Sequence, residues 1–263
     1  MGTEIKEMVM QKMRAEVMTD LLDRGERLDG REFDEYRPIK IQKNPITTAD
    51  GSAYVRIGNT QVLAAVKFEV VAPFPDRPKE GALIMNAEHL PVANPSFEAG
   101  PPDEKSIEMA RTVDRAIRSS EAIDLNELFI EDGKVLGIFV DLYVLDHAGN
   151  YTDAATLAAT AALLNTKMPK IEGGVIIRGE YKDYLKLRAL PLSTTFIRVG
   201  RHWLVDPTEY EEKVLNTRLT IATTEEHVCA MQKAEGWVTK DELLERIDVA
   251  FKKGSELRKL LTI

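Results

Sequence analysis

At 263 residues, 44% hydrophobic and 30% charged, the chain has the balance of an ordinary globular protein, long enough for one large domain or two modest ones. Its 35 Lys and Arg against 43 Asp and Glu give a formal charge of −8, which argues against a wholesale nucleic-acid coat and leaves local basic patches open. The single cysteine, Cys229, excludes an internal disulfide framework or a cysteine-based zinc cluster, and a reducing cytoplasm is the expected compartment.

The first residues mix acids and bases without an apolar signal core. Residues 4–24 read as an amphipathic helix with a stripe of Ile5, Met8, Val9, Met13, Val17 and Leu21, stopped by Gly25, and the stripe is expected to pack on its own domain or on a neighbour. From Pro38 to His89 the pattern is strand-rich. Ile39 and Ile41 alternate, and Ala53, Val55 and Ile57 lead to a Gly58-Asn59 turn and a second strand over 61–71. A Pro-rich loop over 73–78 precedes another strand near 81–90.

Pro101-Pro102 with Asp103 and Glu104 then opens a helix to Ser119, with Ile107, Ala110, Val113 and Ile117 as its apolar face. Two strands joined at Asp132-Gly133 follow, and then an Ala-rich helix over 152–164 suited to close packing. That apolar run is too short to span a bilayer, so no membrane role is expected. A second strand-rich stretch runs from about Gly173 to Met231, and an amphipathic helix over 240–261 carries Leu243, Leu244, Ile247, Phe251 and Leu257. This order predicts an α+β fold, with two subdomains joined near 170–190 and not a doubly wound sheet.

Familiar chemical motifs are missing. No G-x-G-x-x-G occurs, and Gly25 to Gly30 is followed by Arg31-Glu32 where a P-loop needs Lys-Ser/Thr. His89, His147, His202 and His227 stand singly, no G-x-S-x-G is present, and Cys229 lies in a strand without an adjacent base. No cofactor or metal is expected.

Two polar patterns remain. Arg111, Arg115 and Arg118 share one helix face, which reads either as a solvated face with ion pairs or as a row gripping phosphodiesters. Asp206, Glu209, Glu211 and Glu212 crowd one loop, which reads either as a divalent-cation site or as a solvated acidic loop.

Several segments together resemble the RNase PH-like family: Arg27-Leu28-Asp29-Gly30-Arg31 with Tyr36-Arg37-Pro38-Ile39; the strands around Gly51-Ser52-Ala53 and from Gly58 to Val66; Gly100 to Glu104; Ala110 to Arg115; and Asp146 to Ala154. The resemblance covers about residues 25–255 and is nearest to the non-catalytic RNase PH-like subunit of the archaeal exosome. It implies an RNase PH-like fold of two βαβ-type subdomains, each like the second domain of ribosomal protein S5. The expected division is an N-terminal helix over 1–26, a first subdomain over 27–185 and a second over 186–263.

Catalytic members of that family are phosphorolytic 3′→5′ exoribonucleases, in which inorganic phosphate attacks the terminal phosphodiester and releases a nucleoside diphosphate. They hold phosphate with a Ser/Thr-Arg pair at the start of the Ala-rich helix. Here Tyr151 and Thr152 fall on those positions, and Asp153 is expected to add a repelling charge at the helix mouth. Of two family acids six residues apart, Glu212 keeps the first and Arg218 reverses the second. No Asp or Glu between Lys213 and Thr224 can restore the pair.

The resemblance therefore implies a chain without catalytic residues of its own. Arg111 and Arg115, extended by Arg118, would contact single-stranded RNA. The partners implied are a catalytic RNase PH-type subunit, alternating with this chain in a trimer of heterodimers, and S1-domain cap proteins. The competing expectations are a self-sufficient phosphate-dependent exoribonuclease, an S5-like small-molecule kinase, for which the nucleotide loop is missing, and a scaffold that never touches RNA.

Overall fold

The computed structural model describes residues 2–262. Helix α1 is Gly2–Asp23, and of the predicted stripe the side chains of Ile5, Met8 and Val9 lie outside the described residues. Strands β1 (Ile39–Lys43), β2 (Gly51–Ile57), β3 (Thr60–Val71) and β4 (Ala82–His89) are followed by α2 (Glu104–Ser119), β5 (Phe129–Glu131) and β6 (Lys134–Asp146). These strands form one six-stranded sheet in the order β1-β2-β3-β6-β4, with β5 on β6. All its pairs are antiparallel except β4 with β6, which α2 joins as a crossover.

The 58–59 turn closes β2 on β3 with Ile57 opposite Thr60, as the alternation predicts. Period-2 patterning sends Val62, Ala64, Val66 and Phe68 inward, all fully buried. Each such side chain contributes about 1.5–3 kcal/mol when fully buried, less for alanine.

Helix α3 (Tyr151–Leu164) lies at the centre. Every residue from Tyr151 to Leu163 except Thr152 is buried, because alanines let two layers close on it at once. The chain continues through the β7 (Lys167–Glu172) and β8 (Val175–Tyr184) hairpin, which turns at Gly173-Gly174 and stands apart as its own two-stranded sheet. The second main sheet has the order β10-β9-β11-β12 and is antiparallel throughout: β9 (Leu192–Val199), β10 (His202–Val205), β11 (Thr217–Thr223) and β12 (Val228–Ala234). The four-residue helix α4 (Glu209–Glu212) precedes β11, and α5 (Lys240–Leu261) closes the chain.

Strand β9 is buried along its whole length because both of its faces are covered. Its odd-numbered residues face α3 and α1: Ser193 Oγ is 3.0 Å from Thr156 Oγ1, Thr195 bonds Asp153, and Ile197 and Val199 pack with Met18 and Leu22. Its even-numbered residues face α5, where Phe196 packs with Ala250 and Arg198 donates to Glu242.

The buried face of α1 is displaced from the predicted stripe, whereas that of α2 holds at Ala110, Val113 and Ile117. Helix α1 buries Met18 and Leu22, whereas Met13 and Val17 of the predicted stripe are exposed. In α2, Ile107 is exposed and Met109 is buried instead. Apolar residues ring α1 widely enough that three- and four-residue spacing fits more than one face, whereas the charged residues of α2 keep its buried face distinct.

Two acids of the cluster, Asp206 and Glu211, are buried and taken up by arginines, neither solvated nor free for a cation. Asp206 is fully buried and receives the Nε and Nη2 of Arg37 at 2.8 and 2.7 Å and the Nη1 of Arg31 at 3.1 Å. Glu211 takes a two-pronged grip from Arg27 at 2.8 and 2.9 Å while it also closes a capping box with Thr208. Arg37 further reaches the carbonyls of Ala148 and Gly149, which ties the 27–37 segment to both sheets and to the start of α3. Gly149 has φ +98°, and a Cβ there would lie 2.4 Å from the Pro207 carbonyl oxygen, so only glycine lets these backbones approach.

Candidate nucleic-acid interface and the mouth of helix α3

The start of α3 is where the resemblance implies a phosphate site. Asn150 caps the helix in a left-handed conformation, φ 52°, and its backbone N–H donates 3.0 Å to Glu212 Oε1. The helix therefore opens on a carboxylate of its own chain. Burial pushes the Glu212 carboxyl up, and the Arg218 guanidinium, 4.0 Å away at Nη2, pulls it back down. Glu212 and Arg218 thus form one largely buried pair, in which the arginine's charge is opposed by the acid beside it.

Tyr151 is buried, and its ring meets His89 and His147 edge-on at 4.8 and 5.0 Å. Phe97 stacks between the two histidines, 4.4 and 5.4 Å from their rings. Burial pushes His147 down to about 4 and raises the Tyr151 phenol, so both are neutral near pH 7. His147 Nδ1 accepts from the Gly149 N–H, which leaves the ring proton on Nε2, facing Glu212 Oε2 at 3.9 Å.

The cleft beside Tyr151, Thr152, Lys105 and Arg218 holds about 20 Å³, room for a water and not for a phosphate. Among the described residues no group of His, Cys, Asp or Glu is arranged to hold a metal.

Asp153 does not act as expected. It is 1% exposed and lies beneath the helix, accepting from the Tyr36 hydroxyl, the Asn150 side chain and both the N–H and the hydroxyl of Thr195. Burial pushes it up to about 6, with those donors opposing the rise. It joins α3 to β9, and its carboxylate is taken up by these four donors in the interior.

The arginine face lies on α2, beside this mouth. Asp103 caps the helix through the Ser106 N–H at 2.8 Å. Arg111 and Arg115 are exposed and line an open cleft of about 670 Å³ together with Glu104, Glu108, Asp114 and, from β12, Gln232. Arg115 Nη2 donates 2.5 Å to Gln232 Oε1. Among the described residues Arg111 has no side-chain partner.

Arg118, third in the row, is engaged elsewhere. Both prongs of its guanidinium grip Asp114, and Nη2 also donates 2.9 Å to the Leu83 carbonyl, which fixes α2 to β4. Gln232 escaped the sequence reading because a glutamine in a strand carries no motif, and its place opposite α2 is set only by the tertiary fold.

Residues 35–169 match the model of the 3′ exoribonuclease family, domain 1, and residues 189–253 that of domain 2. Exosome complex component Rrp42 of Thermococcus gammatolerans is 46% identical over 260 residues, covering 96% of this chain and 95% of that protein. The Methanopyrus kandleri protein of the same name is 49% identical over 241 residues, covering 89% and 90%. A chain of the Archaeoglobus fulgidus exosome with RNA bound to the active site superposes with a TM-score of 0.87 at 44% identity, covering 95% of this chain and 98% of that one. Rice Rrp46, at 19% identity and a TM-score of 0.70, shares the fold.

Proposed function

The chain belongs to the RNase PH-like 3′ exoribonuclease family, and we propose on that premise that it is the non-catalytic, RNA-positioning subunit of an archaeal exosome ring. Three copies alternate with three copies of a catalytic RNase PH-type subunit, S1-domain proteins cap one face, and the compartment is the cytoplasm. No helix among the described residues is long and apolar enough to cross a membrane. The chain divides into the helical arm 1–26, a first subdomain 27–185 and a second 186–263.

One observation carries this reading. The mouth of α3 is closed by Glu212 on the Asn150 N–H, with Arg218 paired to that acid and Tyr151 filling the adjoining space. Phosphorolysis needs an anion pocket and charge stabilisation at the in-line centre. A carboxylate on the helix N-terminus repels the attacking phosphate, and the remaining cleft is too small to admit it.

The contribution of the chain is then positional. Arg111 and Arg115 stand one helical turn apart, and each offers planar N–H donors to an RNA phosphodiester. They guide the strand toward the partner's site, where phosphate attacks the terminal linkage and a nucleoside diphosphate leaves. Arg118 serves the interface indirectly, by anchoring the helix that carries the other two.

The test is phosphate-dependent degradation of labelled poly(A) by this chain, by its catalytic partner and by the mixture, with mass followed by light scattering. The reading expects no product from this chain and activity with a six-subunit mass from the mixture. Nucleoside diphosphate from the pure chain overturns it.

A further inference from the structure

We infer that Gln232 is a positioning residue for the arginine face, holding Glu108 away from Arg111 and Arg115 so that their charge stays available to RNA. The inference rests on the RNA-positioning reading above. Glu108 lies one helical turn before Arg111 and two before Arg115, so the three side chains share a face of α2. Left alone, an exposed carboxylate at that spacing pairs with the nearest guanidinium and cancels a charge that RNA would use. Among the described residues it makes no such pair.

The carboxylate is instead taken up by an uncharged group from the other sheet. Gln232 Nε2 donates 2.8 Å to Glu108 Oε1, and Gln232 Oε1 accepts from Arg115 Nη2 at 2.5 Å. An amide is suited to this place because it has a donor end and an acceptor end. The acid fixes the NH2 end and the arginine fixes the oxygen end, so neither assignment can flip without losing both bonds. A carboxylate at 232 would neutralise Arg115 and repel Glu108, and a lysine would repel Arg115. Glutamine keeps the acid and the base apart while it bonds to each; of the other Arg115 groups, Nε donates 3.4 Å to the Arg111 carbonyl, and among the described residues Nη1 makes no bond and stays available to RNA.

The same two bonds tie α2 to β12, and a plain structural latch is the competing account. The two roles separate in the salt dependence of RNA binding. Rings assembled from the catalytic subunit and this chain, checked for six-subunit mass, would be titrated with labelled single-stranded RNA across a range of salt.

Gln232→Leu frees Glu108 to pair with an arginine. The log–log salt slope should become shallower by about 0.7, the contribution of one phosphate contact to a single strand. Adding Glu108→Gln to Gln232→Leu removes the competing charge and should restore the slope, although the latch stays broken.

An unchanged slope in Gln232→Leu overturns the inference, and so does a reduced slope that Glu108→Gln fails to restore, which assigns Gln232 to the latch alone. Arg111→Glu with Arg115→Glu is the control on the parent reading. If that ring binds RNA as tightly as wild type, the parent reading fails and this one with it. If it loses RNA while Gln232→Leu does not, this one fails alone.

Discussion

Asp206→Asn isolates the ion-pair network that joins the 27–37 segment to the second sheet. Asparagine preserves the shape and tolerates the positive φ of 49° at this position, so the substitution tests charge rather than backbone strain. Oδ1 accepts from Arg37 Nη2 and the Asn150 amide, and Oδ2 accepts from the Arg37 N–H and Nε and from Arg31 Nη1. Whichever oxygen becomes NH2 therefore faces at least two donors, and the buried arginine beside it loses its counter-charge.

Removing one partner from a buried pair costs about 3–5 kcal/mol. For a chain of this size, that corresponds to a fall of about 10 °C in Tm. Thermal unfolding at pH 7 by circular dichroism is the assay. The hydrogen bonds and charges of Arg37 hold the Asp206 carboxyl below its ordinary value against the effect of burial. Its stabilisation is therefore complete above the unfolded value of 3.8 and is lost as pH falls through the lower folded value. The gap between wild type and variant should narrow below about pH 4. A fall in Tm of less than about 2 °C at pH 7 would refute the network's role.

Gly149→Ala would place a Cβ 2.4 Å from backbone atoms of Pro207 and Thr208, at a φ that disfavours side chains, and should cost about 3 kcal/mol or more, read from the urea midpoint. Arg218→Gln removes the main group that lowers the Glu212 carboxyl, so Glu212 should rise further. Its cost in Tm should be smallest at low pH, where Glu212 is protonated in both folded proteins, and should grow as pH rises through the raised folded value of the wild type, above 4.5. In the assembled ring, Arg111→Ala should make the salt slope of RNA binding shallower by about 0.7. Arg118→Ala should leave that slope nearly unchanged, because its guanidinium is committed to Asp114 and Leu83.

What could be read from the chain was local. The β2–β3 hairpin follows from alternation up to Gly58-Asn59, and α2 from Pro101-Pro102-Asp103-Glu104 before a periodic run. The buried α3 follows from a run of alanines. What could not be read was the pairing of charges across long separations. Arg27 and Glu211 lie 184 residues apart, and Asp153 meets Thr195 42 residues on, so acids that look solvated in sequence are interior and satisfied.

The resemblance implies that Glu212 and Arg218 fall on degenerate positions, but only the tertiary fold could show that they face each other. The exposed arginines were legible as a helix face. Whether each guanidinium is free or spent depended on Asp114, Leu83 and Gln232, of which only Asp114 is on the same helix.

On the proposed function, the mouth of α3 in this chain performs no phosphorolysis. The most direct test is a ring assembled from this chain and a catalytic partner whose own active site has been disabled, supplied with phosphate and labelled poly(A). The expected ring still binds RNA and releases no nucleoside diphosphate. Phosphate-dependent release from that ring would contradict it, since this chain would be the remaining source of the chemistry.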